Sequence, residues 1–357
     1  MTRVVVKVGS SSLTSAEVGL DHARLDALVD ALAVAHRAGD LPVLVSSGAI
    51  AAGLAPLGLT KRPRDLATLQ AAAAVGQTAL VDAYATSFGR HGITVGQVLL
   101  TAEDVMRRAH YRNARTTLDR LLDLGVVPVV NENDTVATEE IRFGDNDRLA
   151  SLVAHLVDAD RLLLLSDVDA VYDIPPTLPG AQRIAEVRTD EDLAPIRTDG
   201  GGSGLGSGGM ASKIDAARLA ASSGVPSVIG AAVDVGALLG GDPDRGTRFF
   251  ATGTRAASRL RWLAHASVPR GRLVLDAGAV RAVRERGASL LPAGIVKVEG
   301  DFATGDPVEL VGPDGVAIAR GLVAYDAAEL PALLGVSTRE NGLREVVHRD
   351  DLVLLPG

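Results

Sequence analysis

Apolar residues follow two rhythms along the first 250 positions of this chain. Short runs rich in Val, Leu and Ile alternate with longer stretches in which apolar positions recur every three or four residues. The short runs predict strands at Arg3–Val8, Pro42–Ser46, Thr94–Leu99, Val126–Val130, Arg161–Leu165 and Pro226–Ile229. The longer ones predict helices at Asp21–Ala38, Ala67–Phe88, Arg112–Leu124, Asp147–Val157 and Ala211–Ser223. Gly39, Gly125 and Gly224 stand just past three of these helices, where a left-handed residue commonly ends one. Runs such as VVVKV and RLLLL leave no polar face, so their strands are expected to be covered on both sides. The pattern predicts an α/β fold, a mostly parallel sheet sandwiched by helices, with ligands at the carboxyl ends of its strands.

The rhythm changes near Gly271. Short strand-like pieces at Arg272–Leu275, Gly294–Val298, Pro307–Val311 and Val316–Ala319 are separated by turn signals such as Gly312-Pro313-Asp314-Gly315. This predicts a smaller β-rich second domain. The divisions expected are a catalytic domain over 1–255, a connector over 256–270 and a second domain over 271–357.

Composition narrows the chemistry. The 357 residues suit two domains, and no cysteine is present, which removes disulfides, thiolate metal sites and cysteine nucleophiles. A reducing, cytoplasmic location is expected. No apolar run is long enough for a membrane span, so no membrane partner is expected. The net charge is −8 and aromatics are 3%, so nucleic acid is not expected as the main partner. Only four of the 36 basic residues are lysines, and two of them, Lys7 and Lys213, stand beside glycine-rich turns.

The segment GGGSGLGSGGMASK, Gly200 to Lys213, runs into a predicted helix. Glycines let backbone N–H groups approach an anion, and a helix start favours negative charge. No strand precedes it, as a dinucleotide fingerprint requires, and Ser212 precedes Lys213 where a P-loop has glycine. A phosphate loop of another design and a plain surface loop remain. Lys7 lies inside a buried strand with Gly9 just beyond. It faces an anion there, or it snorkels from a strand edge. Ser47 ends the second strand, as a pocket residue or a helix cap. Asn131 to Asp134 and Asp145 to Asp147 are dense in short polar side chains, which suits a zwitterion or simple turn and cap chemistry. Ser166 and Asp167 end the fifth strand, where both ligand binding and capping are open.

In this order, VVVKVGSSSLT, VSSGAIAAG, NENDTVATEEIRFGDND, LLLLSDVDAVYD and GLGSGGMASKIDAARLA resemble the amino acid kinase family, and within it the branch that phosphorylates glutamate. The likeness spans about residues 1–255. The segment from Gly271 resembles a PUA domain. Ser207 and Ser166 stand where threonine is common, and both keep a hydroxyl.

The resemblance implies ATP-dependent phosphorylation of the side-chain carboxylate of L-glutamate, the first step of proline biosynthesis, with Mg²⁺ held mainly by the nucleotide phosphates. It implies feedback inhibition by proline and a homo-oligomer. It assigns catalysis to Lys7, Lys213 and Asp147, with Asp147 holding the two ammonium groups. It assigns glutamate binding to Ser47, Asp134 and Asn146. ATP binding falls to Lys7, Ser166, Asp167, Ser207, Gly208, Gly209, Met210, Ala211, Ser212 and Lys213. A carboxylate nucleophile is already ionised, so no general base is needed. Two alternatives remain: a relative acting on another carboxylate or phosphate acceptor, and an RNA-binding protein using the PUA-like segment.

Overall fold

The computed structural model describes residues 1–15, 19–106, 108–136, 146–194, 196, 209–253, 269–334 and 344–355. Its contacts divide the chain into two units, one of residues 1–102 and 114–255, the other of 103–113 and 256–357.

The first unit is built on an eight-stranded sheet. Its strands are β1 (Arg3–Val8), β2 (Leu41–Ser46), β3 (Val95–Leu100), β4 (Val127–Glu132), β5 (Arg161–Ser166), β6 (Glu186–Val187), β7 (Ser227–Ala231) and β8 (Thr247–Phe249). They lie in the order β6-β8-β7-β5-β1-β2-β4-β3. From β7 to β3 all neighbours are parallel, while β8 pairs antiparallel with β7 and parallel with β6. β1 is central, with Lys7 in register with Val45 of β2 and Leu164 of β5.

Helices cover both faces because alternate residues of a strand point to opposite sides. Val4, Val6 and Val8 join Leu44, Val127, Val129, Leu163 and Leu165 in one core. That core is closed by α1 (His22–Arg37) and α3 (Leu66–Gly89), through Leu25, Leu32, Leu80, Tyr84 and Phe88. Asp21 caps α1 by accepting from the N–H groups of Ala23 and Arg24, and Asp65 caps α3 through that of Thr68. Between them lies the short α2 (Ala49–Leu54), packed against α3. The other face, which carries Lys7, meets α5 (Asn146–Leu156), and α6 (Met210–Ser222) packs beside α5 and on β5 and β7. Helix α4 (Arg108–Asp123) precedes β4 in the chain, and α7 (Val235–Gly240) follows β7.

The expected strands and main helices are present, with shifted ends. Placing the end of β4 at Val130 is corrected. Asn131 and Glu132 are polar, yet they pair with Leu99 and Leu100 of β3 and belong to the strand. The pattern missed α2, whose residues AIAAGL offer no polar face. It also missed β6 and β8, which are too short for alternation to be visible.

The second unit has a five-stranded sheet of β9 (Gly271–Leu275), β10 (Ile295–Gly300), β11 (Pro307–Val311), β12 (Ala317–Leu322) and β13 (Leu352–Leu354), ordered β10-β9-β11-β12-β13. Only β9 and β11 pair in parallel. Leu273, Leu275, Val308, Leu310 and Ile318 form its core with Val283 of a helix unforeseen in the sequence, α8 (Ala277–Arg286). Most of the connector drawn at 256–270 lies outside the described residues. Among the described residues no helix is long and apolar enough to cross a membrane.

Candidate functional site

Three buried charges from distant parts of the first unit meet at the carboxyl ends of the central strands. Lys7 comes from β1, Asp147 from the first turn of α5 and Lys213 from the first turn of α6. They are only 4%, 3% and 6% exposed. Lys7 Nζ lies 2.8 Å from Asp147 Oδ1, and Lys213 Nζ lies 3.2 Å from Asp147 Oδ2. A hydroxyl joins them, as Ser212 Oγ donates to Asp147 Oδ2 at 2.6 Å. Lys7 therefore does not snorkel to solvent; it is an ion-paired lysine inside the fold.

Burial alone would push the Asp147 carboxyl up. The charges of Lys7 and Lys213, with hydrogen bonds from Lys7 and Ser212, outweigh burial and hold it below the ordinary carboxylate value. Two ammonium groups thus share this one buried carboxylate, and ammonium groups held in place inside a fold suit an anionic ligand. A Cβ on Gly9 would stand 3.6 Å from Lys7 Nζ, in ordinary van der Waals contact, so Gly9 lies beside the ammonium group.

Ser47 follows β2, and its N–H donates to Val8 O at 3.1 Å, which ties the ends of β1 and β2 together. Ser47 does not cap α2. The cap is Gly48, at φ 105°, and it has no side-chain hydrogen bond. The Ser47 hydroxyl instead accepts from Asn146 Nδ2 at 3.1 Å. Asn146 Oδ1 is buried and has no partner among the described residues.

Asp134, just past β4, is buried, and burial pushes its carboxyl up to about 6 against the opposing charge of Arg62. The neighbouring Asn133 does make a local turn, accepting from Thr135 Oγ1 at 2.5 Å through its side chain and from Val136 N through its carbonyl.

On the other side of β1, Ser166 ends β5 half-buried, and its Oγ accepts from Val168 N at 3.4 Å. Asp167 is exposed and accepts from Ser12 Oγ at 3.0 Å. Gly209 is the N-cap of α6, and Met210, Ala211 and Ser212 form its first turn. Ser207, Gly208 and Asp145 lie outside the described residues.

The fold and this geometry can be set beside known proteins. The amino acid kinase family matches residues 2–231, and the PUA domain matches residues 271–341. The glutamate 5-kinase of Frankia casuarinae is 64% identical over 99% of this chain and 96% of its own length. The chain belongs to the glutamate 5-kinases of the amino acid kinase family. The glutamate 5-kinase of Streptomyces coelicolor is 63% identical over the same shares of the two chains. The carbamate kinase of Giardia has the same fold at 18% identity, with a TM-score of 0.51 over 70% of this chain and 99% of its own.

Within this amino acid kinase fold two residues near the site carried little signal in the sequence. Ser12 is one of three consecutive serines, and only the turn of the short helix Ser10–Leu13 selects it as the buried one of the three. Arg62 is an exposed arginine between α2 and α3 in a chain rich in arginine, and no pattern singles it out.

Proposed function

We propose that this chain transfers the γ-phosphoryl group of ATP to the side-chain carboxylate of L-glutamate, forming L-glutamyl 5-phosphate. The observation that carries the proposal is the buried Lys7–Asp147–Lys213 cluster, which holds two ammonium groups together at the end of β1. The reaction brings a carboxylate against a polyanion, so positioning and charge neutralisation are the main demands. A glutamate side-chain oxygen attacks the γ-phosphorus, the bond to the β–γ bridging oxygen breaks, and ADP leaves with that electron pair. No proton moves.

Lys7 would meet the transferring group from the sheet, and Lys213 would meet the leaving phosphates from α6. Asp147 would keep both ammonium groups on the line of transfer. The N–H groups of the first turn of α6, from Met210 to Ser212, would donate to phosphate oxygens. Ser166 and Asp167 would border the nucleoside.

Among the described residues no three His, Asp or Glu side chains gather as a metal site, and both Asp147 oxygens hold ammonium groups. Mg²⁺ would enter with the triphosphate and neutralise charge on its phosphates.

Asp134 supports a free amino acid as acceptor. Among the described residues its buried carboxylate has no ammonium partner, and the α-ammonium of glutamate would supply one. The amide of Asn146 and the hydroxyl of Ser47 would hold the remaining polar groups of the substrate. An acylated amine or a phosphate acceptor would gain nothing from Asp134.

The test is an assay with ATP, Mg²⁺ and glutamate in which the acyl phosphate is trapped as its hydroxamate. Lys7→Ala and Lys213→Ala should each lower kcat by about 10²–10³, the scale for losing one preorganised charge donor. If either variant keeps kcat within about threefold, the clamp assignment is wrong.

A further inference from the structure

We infer that Ser212 is a positioning residue of the phosphoryl-transfer centre, with its side-chain hydroxyl committed to Asp147 and not to the nucleotide. The inference rests on the reading of Lys7, Asp147 and Lys213 just given.

A serine hydroxyl carries one proton. At 2.6 Å from Asp147 Oδ2, Ser212 Oγ directs that proton to the carboxylate in a hydrogen bond. Only lone pairs remain on the hydroxyl, and they repel phosphate oxygens. Contact between residue 212 and a phosphate is thereby left to its backbone N–H.

The same oxygen of Asp147 receives Lys213, and the other receives Lys7. Both lysines have long flexible stems, and both must be free to lean toward a phosphoryl group as charge moves. If they were its only partners, the carboxylate would turn with them. Ser212 has a short side chain on a helical turn. It gives Asp147 a donor that stays in place while the ammonium groups shift. A neutral donor also suits the task, because it does not compete with the substrates for cationic contacts. Ser212 and Lys213 are consecutive, so one turn of α6 delivers both groups to one carboxylate.

The experiment is steady-state kinetics with ATP and glutamate varied separately, together with ADP titration at equilibrium. The variants are Ser212→Ala, Ser212→Cys and Ser212→Thr. Ser212→Ala should lower kcat about tenfold, the scale for losing a hydrogen bond to a charged group. Both KM values and the ADP Kd should stay within about twofold of the parent. Ser212→Cys is close in size and a poor donor, so it should match Ser212→Ala and covers the case in which the alanine protein does not fold. Ser212→Thr keeps the hydroxyl and should recover kcat to within about threefold.

A rise of about fivefold or more in ATP KM and ADP Kd, with kcat kept, would make the hydroxyl a nucleotide ligand and overturn the inference. So would an unchanged kcat in the alanine and cysteine proteins, or a threonine protein as slow as they are. Lys7→Ala in the same assay separates the two levels. If it keeps kcat, the phosphoryl-clamp reading itself has failed. If it loses kcat while Ser212→Ala does not, only the role of Ser212 has failed.

Discussion

Asp134 and Asp147 are both buried carboxylates, and their surroundings drive them in opposite directions. Asp147 is held low by two ammonium groups, whereas Asp134 is pushed up to about 6 by burial. For Asp134 to pair with the α-ammonium of glutamate it must be ionised. Glutamate KM should therefore climb about tenfold per pH unit below about 6, with kcat less affected. Asp134→Asn should remove that limb and raise KM about tenfold or more at neutral pH. A parent KM that stays flat from pH 7 to 5 would take Asp134 out of the amine site. Stability follows the same signs. Between its ordinary value of 3.8 and about 6 the folded form of Asp134 binds more protons than the unfolded form, so lowering pH through that window makes this residue less destabilising. Asp147 does the reverse: its contribution is present above 3.8 and is lost as pH falls through its lower folded value. Urea midpoints of the parent and of Asp134→Asn across pH 4–7 isolate the Asp134 contribution, because that of Asp147 is lost only below 3.8. At this scale the sequence was informative where charge is expensive. A lysine inside VVVKV and another beside a glycine run demand partners, and Asp147 stands in a dense polar cluster. Ser12 was illegible because its side chain is chemically the same as those of Ser10 and Ser11, and only the fold selects among them.

Helices α2 and α3 meet backbone to backbone at Gly53 and Gly76. A Cβ on Gly53 would lie 1.9 Å from Ala72 O, and one on Gly76 would lie 1.7 Å from Ala49 O. Neither obstacle is a side chain that can swing away. Gly53→Ala and Gly76→Ala should each destabilise the protein by about 1–3 kcal/mol, read from urea denaturation. Because α2 begins beside Ser47, glutamate KM should rise as well. Gly89→Ala is the control, since nothing lies within 4 Å of a Cβ there, and it should be neutral or slightly stabilising. Equal behaviour of the three would mean that the close approach carries no load. The long elements were legible because each has a whole period of apolar residues and an end signal, as α1 has between Asp21 and Gly39. Both glycine contacts were invisible. AIAAGL reads as featureless, and a glycine inside a helix says nothing about which neighbour it admits. In the second unit, attention to alternation hid α8, although Ala279, Val280 and Val283 have helical spacing.

Every site residue placed in the structure belongs to the first unit, and the second has its own sheet and core. A chain ended after residue 253 should therefore keep kcat within about threefold in the hydroxamate assay, as none of the charge donors is removed. It should also melt at a lower temperature, because residues 103–113 cluster with the part removed. A loss of activity at a temperature where the shortened chain is still folded would bring the second unit into catalysis. The change of rhythm near Gly271 was readable in the sequence. The allegiance of residues 103–113 was not, since only Arg112 and Asn113 of them fall in a predicted helix and nothing in their pattern points to the second domain. The central place of β1 has a further consequence, in time. Residues 3–8 leave the ribosome long before one of their two neighbours, which is made only at residues 161–166. At about 5–20 residues per second, a solid row of valines waits on the order of ten to thirty seconds with one edge open. A strand buried in the finished enzyme is thus an adhesive segment of the nascent chain, and the yield of soluble protein should depend on what shelters it during that interval.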